Sequence, residues 1–210
     1  MEYGINIIKD NKSVKVERKT KECKIIVKIS EEEKECKINT GINFLNHMIE
    51  TISLRSGFSI DVNVEIERFS LQHVIAEDTG IAIGKAFLEI FKSKINEGIQ
   101  GNGFFNAIID EASSIVSISI EGRPGLYFDN VCEGIEKEKV EDMLSCDLKN
   151  FLSGFSLGMH STIHINCICG KDPHHSWESI FRALGEALRI TFEKNEKRKN
   201  KIVGIKGILE

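Results

Sequence analysis

Two stretches of this 210-residue chain place a glutamate four positions after a histidine: His73 with Glu77, and His174 with Glu178. On a helix, residues i and i+4 share a face, so each pair can offer an imidazole nitrogen and a carboxylate oxygen to one ion. Each pair leads into a similar apolar stretch at the same offset, Ala82-Ile83-Gly84-Lys85-Ala86-Phe87 and Ala183-Leu184-Gly185-Glu186-Ala187-Leu188. A duplicated ligand helix points to a metalloenzyme built from two halves. The copies differ at one position, where the second has His175 and the first has Val74. Neighbouring helical residues diverge by about 100°. His174 and Glu178 are therefore expected to hold one ion while His175 reaches another, and His73 with Glu77 form a further half-site. His164 stands on a predicted strand that leads into the second helix. Imidazole and carboxylate donors suit Mn, Fe or Zn, and no thiolate set suggests a structural zinc site.

These side chains need helices and strands to position them. Strands are expected at Lys24 to Ile29, Ile60 to Ile66, Ile115 to Ile120 and Ile163 to Cys167, where apolar residues are β-branched or alternate with polar ones. Helical spacing covers Ile42 to Leu54, with His47 beside the apolar side, Val74 to Phe91, Lys137 to about Leu157, and His175 to Phe192. The outline occurs twice. It predicts a single α+β domain over 1–210, with helices on one side of each sheet, two repeats at about 1–95 and 96–193, and a C-terminal tail.

Composition narrows the classes. The formal charge of −4 gives no case for nucleic-acid binding, and no apolar run is long enough to span a membrane. The N-terminal stretch lacks the pattern of a signal peptide, so a cytoplasmic location is expected. The six cysteines form no Cys-x-x-Cys pair and are read as buried free thiols. Cys167 and Cys169 are expected on one strand face. The basic run from Lys194 to Lys201 reads as a solvated helix end.

The motifs together resemble the imidazoleglycerol-phosphate dehydratase family. Phe44-Leu45-Asn46-His47-Met48 is similar to the family's Phe-Leu-Asp-His-Met, and His73 to Gly80 to its first His-His-x-x-Glu-Asp-Thr motif. Asp110-Glu111-Ala112 and Glu121-Gly122-Arg123-Pro124 resemble a further pair of motifs. Gly170 to Phe181 resembles the second signature, followed by Arg182 where a lysine is usual, and Lys206-Gly207 resembles the closing Lys-Gly. The resemblance implies a duplicated sandwich related to the second domain of ribosomal protein S5, and self-association into trimers and 24-subunit shells. It implies a manganese-dependent lyase of histidine biosynthesis that dehydrates imidazole glycerol phosphate to imidazole acetol phosphate. By the same resemblance His73, Glu77, His164 and His175 form a complete metal site. His47, His174 and Glu178 form a second, whose fourth ligand is missing at Val74. Ligands of one site come from neighbouring subunits. Glu22 is implied as the acid/base, and Arg123, Arg182 and Lys206 as phosphate contacts.

The departures fall at the site. Val74 has no lone pair to donate. Asn46 replaces an aspartate beside His47, and Arg55 a histidine. Gly101 stands for an arginine of the phosphate pocket, and Gly204-Ile205 for a Ser-Thr pair. One lost charge-assisted phosphate contact costs about 1.5–3 kcal/mol, roughly 10- to 150-fold in affinity. Reduced activity is therefore expected. The alternatives are a paralogue with one metal site acting on another small molecule, or a non-catalytic metal-binding assembly.

Overall fold

The structure is a computed structural model that describes residues 3–10, 12–32, 34–202, 204 and 207–209. Its elements follow the chain as β1 (Gly4–Lys9), β2 (Ser13–Lys19), β3 (Cys23–Ser30), β4 (Ile38–Asn39), α1 (Asn43–Ser56), β5 (Ser59–Ile66) and α2 (Gln72–Lys94). Then come β6 (Asn102–Ile109), β7 (Ala112–Ile120), β8 (Gly125–Asn130), α3 (Glu133–Glu136), β9 (Lys139–Val140), β10 (Met143–Leu144), α4 (Ser145–Met159), β11 (Ser161–Cys169) and α5 (Pro173–Thr191).

Alternation builds the sheets. On β3, Cys23, Ile25, Val27 and Ile29 are buried, and on β7, Ala112, Ser114, Val116, Ile118 and Ile120 are. A single apolar face per strand forces each sheet to be covered on one side. The first sheet has the order β1-β2-β3-β5-β4 and the second β6-β7-β11-β8. Without β1 the two orders correspond strand for strand. Each ends in a parallel edge strand, β4 beside β5 and β8 beside β11. The expected α+β fold in two similar halves is thus present.

Helices α1 and α2 lie on the first sheet, and α4 and α5 on the second. The helices then face each other, α2 against α4 and α1 against α5, giving a sheet–helix–helix–sheet sandwich. Glycines set the α2–α4 spacing. A Cβ at Gly80 or Gly84 would strike the carbonyls of Phe151 or Phe155, and one at Gly154 or Gly158 those of Glu77 or Ile81. The matching order of these contacts shows that α2 and α4 run parallel. Between the layers lie Trp177, Phe87, Phe91, Phe151, Phe155 and Phe181, all fully buried.

Three sequence expectations are corrected. The long helix expected from Lys137 is instead α3, the hairpin β9–β10 and then α4. Glu141 and Asp142 form the two-residue turn, and Val140 and Met143, buried at its flanks, pair across it. The basic run does not end α5, which stops at Thr191; it carries a separate 3-10 turn at Glu196–Arg198. It lies beyond, where Arg198 donates to the Gln100 carbonyl and to Asn102. The cysteines are not uniformly buried free thiols. Cys132 and Cys167 form a disulfide, and Cys146 and Cys169 are exposed. A register shift between Cys167 and Cys169 turns the second outward, so the two do not share a face.

Candidate metal centre

His47 on α1 and His174 and Glu178 on α5 converge within one chain. One donor atom from each lies within 4.8 Å of the others. His47 Nε2 is 3.3 Å and His174 Nε2 3.2 Å from Glu178 Oε2. The parallel packing of α1 on α5 accounts for this, with Gly185 one step further along, close to Arg55 and the Ile52 carbonyl. Two imidazole nitrogens and one carboxylate oxygen converging on a common point fit a borderline divalent ion. Among the described residues this is the one group of three or more His, Cys, Asp or Glu donors gathered in this way.

Glu178 is buried, which by itself pushes its carboxyl up. Hydrogen bonds from Arg182 and His47 more than offset this and hold it below the ordinary glutamate value. Arg182 grips the second oxygen, Oε1, through Nε at 2.8 Å and Nη2 at 2.6 Å. The cluster opens into a cleft of about 800 Å³ whose lining includes His47, Arg55, Glu178 and Arg182.

Three second-half histidines, His164, His174 and His175, are each held by a carboxylate at Nδ1, whereas Nδ1 of His160 is buried without a partner. Glu141 reaches His174 at 3.0 Å, Glu111 reaches His175 at 2.8 Å, and Asp129 reaches His164 at 3.0 Å. Such pairs fix ring orientation and leave Nε2 to face an ion. Backbone N–H of Asp172 and the His175 ring together pull the Glu111 carboxyl down to about 2. The same contact raises His175 above its ordinary value. The rings of His174 and His175 are 6.1 Å apart and face different partners, as their divergence on a helix requires.

The chain does not gather His73, Glu77, His164 and His175 into one cluster. His73 and Glu77 are exposed on the first turns of α2, and His164 is exposed on β11. Glu22 occupies the turn between β2 and β3, where its carbonyl accepts from Glu67 and Arg68 N–H, and it does not line the cleft. Arg123 is exposed beyond β7 and its carbonyl accepts from Thr162. Lys206 lies outside the described residues. Arg182 lines the cleft, but its guanidinium is engaged by Glu178 and by the Ile108 carbonyl.

The departures take on structural meaning. Asn46 does not support His47; its side-chain oxygen accepts from the Thr40 N–H and hydroxyl, bracing the loop before α1. Gly101 has φ 75° and is buried, a backbone state that disfavours an arginine there. Arg55 approaches Glu186 at 3.8 Å on the cleft wall. Glu141, Asp142 and Asp129 were not singled out in the sequence. Their partners are distant in sequence, so no local spacing marks them.

Comparisons with known proteins agree with this architecture. The family profile described as Imidazoleglycerol-phosphate dehydratase matches residues 40–188. A protein of that name from Clostridium botulinum is 38% identical over 200 residues, covering 95% of this chain and 99% of its own length. The Saccharomyces cerevisiae protein of that name is 34% identical over 190 residues, covering 90% and 83%. The crystal structure of the Staphylococcus aureus imidazoleglycerol-phosphate dehydratase superposes with a TM-score of 0.76 at 30% identity. It covers 87% of this chain and 99% of that one. The Pyrococcus furiosus structure gives the same TM-score and identity over 91% of this chain. With its duplicated sandwich and its His47–His174–Glu178 cluster, this chain belongs to the imidazoleglycerol-phosphate dehydratase family.

Proposed function

We propose that the protein is a metal-dependent hydro-lyase that dehydrates imidazole glycerol phosphate to imidazole acetol phosphate in histidine biosynthesis. The observation that carries this reading is likeness to named dehydratases over nearly the whole chain, with a family match whose span, residues 40–188, contains both ligand motifs. That breadth favours dehydration over a different substrate or a non-catalytic role.

Mn2+ is the ion proposed for His47, His174 and Glu178. A divalent ion there supplies Lewis-acid stabilisation of negative charge on the imidazole ring. The chain's own residues do the rest. Glu178, kept ionised by Arg182, supplies the anionic donor. The cleft beside the cluster admits the substrate, and Arg55 on its wall supplies positive charge. Glu22, brought to the cleft from a neighbouring subunit, takes the C–H proton and passes it to the neighbouring hydroxyl, which departs as water; the resulting enol isomerises to the ketone, gaining a proton at carbon as its O–H proton is lost. Arg123 and Lys206 bind the phosphate.

His73, Glu77, His164 and His175 are proposed as a second site completed between subunits of a homo-oligomer, a trimer and then a 24-subunit shell. Their separation within one chain, together with the exposure of His73, Glu77 and His164, supports this. No helix among the described residues is long and apolar enough to cross a membrane. The proposed location is the cytoplasm.

The test is to assay the purified protein with imidazole glycerol phosphate and Mn2+ and to follow the ketone product. Turnover that is abolished by chelation and restored by Mn2+ is expected. No product at protein concentrations where relatives are readily assayed overturns the reading.

A further inference from the structure

The hairpin β9–β10 touches all three helices that carry the motif histidines. The Asp142 carboxylate accepts from Asn43 N–H at 2.8 Å and Phe44 N–H at 2.9 Å, at the start of the His47 helix. The Asp142 carbonyl accepts from Gln72 Nε2, beside His73. Glu141 meets Nδ1 of His174. Glu141 does so from φ 49°, the left-handed region, at the first position of a two-residue hairpin turn. Gly, Asn or Asp ordinarily occupies such a position, and a longer side chain is strained there. The backbone thus disfavours glutamate at the position from which a carboxylate reaches Nδ1 of His174.

We propose that Glu141 is a positioning residue for His174. Its carboxylate accepts the Nδ1 proton, fixes the tautomer, and aims the Nε2 lone pair at the point shared with His47 and Glu178. The rest of the environment leaves the ring a choice. Phe44 packs edge-on against it at 5.1 Å, which excludes neither face of the imidazole. Without an acceptor at Nδ1, the tautomer with the proton on Nε2 would donate to Glu178 instead, and that tautomer cannot ligate through Nε2. The inference rests on the metal reading of the cluster and adds a residue to it.

The test uses the full-length protein, with Mn2+ titrated against the EPR signal of the free ion. His47→Ala identifies which binding step belongs to this cluster. Glu141→Ala is expected to weaken that step by roughly 10- to 100-fold. Glu141→Gly is expected to weaken it equally while raising the melting temperature of the metal-free protein by about 2–4 °C, since it relieves the strained φ. A merely structural role would lower stability and affinity together. Unchanged affinity in both variants, or a lower melting temperature in Glu141→Gly, overturns the proposal. A wild-type protein with no step lost in His47→Ala instead overturns the metal reading itself, and this inference with it.

Discussion

Val74 is where the two ligand helices differ in chemistry. It is partly buried and packs against the core near the start of α2, beside exposed His73. If α2 of a neighbouring subunit faces the His47–His174–Glu178 cluster, Val74→His adds a fourth donor. The expected result is Mn2+ binding at this cluster tightened by about tenfold or more, at least ~1.4 kcal/mol. Calorimetric titration checks it, and unchanged affinity would show that residue 74 does not reach the cluster. At this scale the site was half legible in the sequence. The pairing of His174 with Glu178 is a local i,i+4 relation, and spacing alone reveals it. Glu141 and Asp129 act across folded distances, on His174 and His164, and nothing in their immediate sequence marks them as partners. Asn46 is a mixed case. Its place beside His47 marks it as a departure from the family motif, but only the fold shows that its side chain turns to Thr40.

At the scale of elements, tight helix pairs and a small hairpin do the positioning. Gly84→Ala sets two effects against each other. Alanine gains about 1 kcal/mol of helix propensity, but its methyl would meet the Phe155 carbonyl of α4, which cannot move without shifting the helix. Overpacking of this kind costs about 1–3 kcal/mol, so a net loss of stability is expected in chemical denaturation. A stabilised variant would contradict the close α2–α4 approach. Asp142→Ala tests the hairpin. Removing the acceptor for Asn43 and Phe44 N–H should cost about 1 kcal/mol at neutral pH. Burial alone would raise the Asp142 carboxyl, but the backbone bonds from Phe44 and Asn43 win and lower it below the ordinary value of 3.8. Its contribution is therefore present above that value and lost as pH falls through the lowered one. Denaturation curves of wild type and Asp142→Ala should converge in strong acid; a gap that persists there would contradict the cap. Most strands and helices were readable from alternation and helical spacing. The hairpin was not, because strands of two residues carry no period, and the charged run before it extends a helical pattern by composition alone.

At the scale of the molecule, duplication explains both the architecture and its asymmetry. Two sheets of matching order carry corresponding ligand helices, yet among the described residues it is α5, not α2, that gathers a histidine from another helix into a donor cluster. His73 and Glu77 remain at the surface. Assembly is thus expected to matter for the second site and less for the first. Size-exclusion chromatography with light scattering should show an assembly much larger than the 23.6 kDa chain. A monomer with full activity would contradict the shared site. The central claim is that the His47–His174–Glu178 centre makes this scaffold a dehydratase. The most direct measurement is turnover of imidazole glycerol phosphate with Mn2+, comparing wild type and His47→Ala at matched assembly size. Ketone formation by the wild type and none by His47→Ala is the expected result. Equal turnover in the two, or none in either, would contradict the claim.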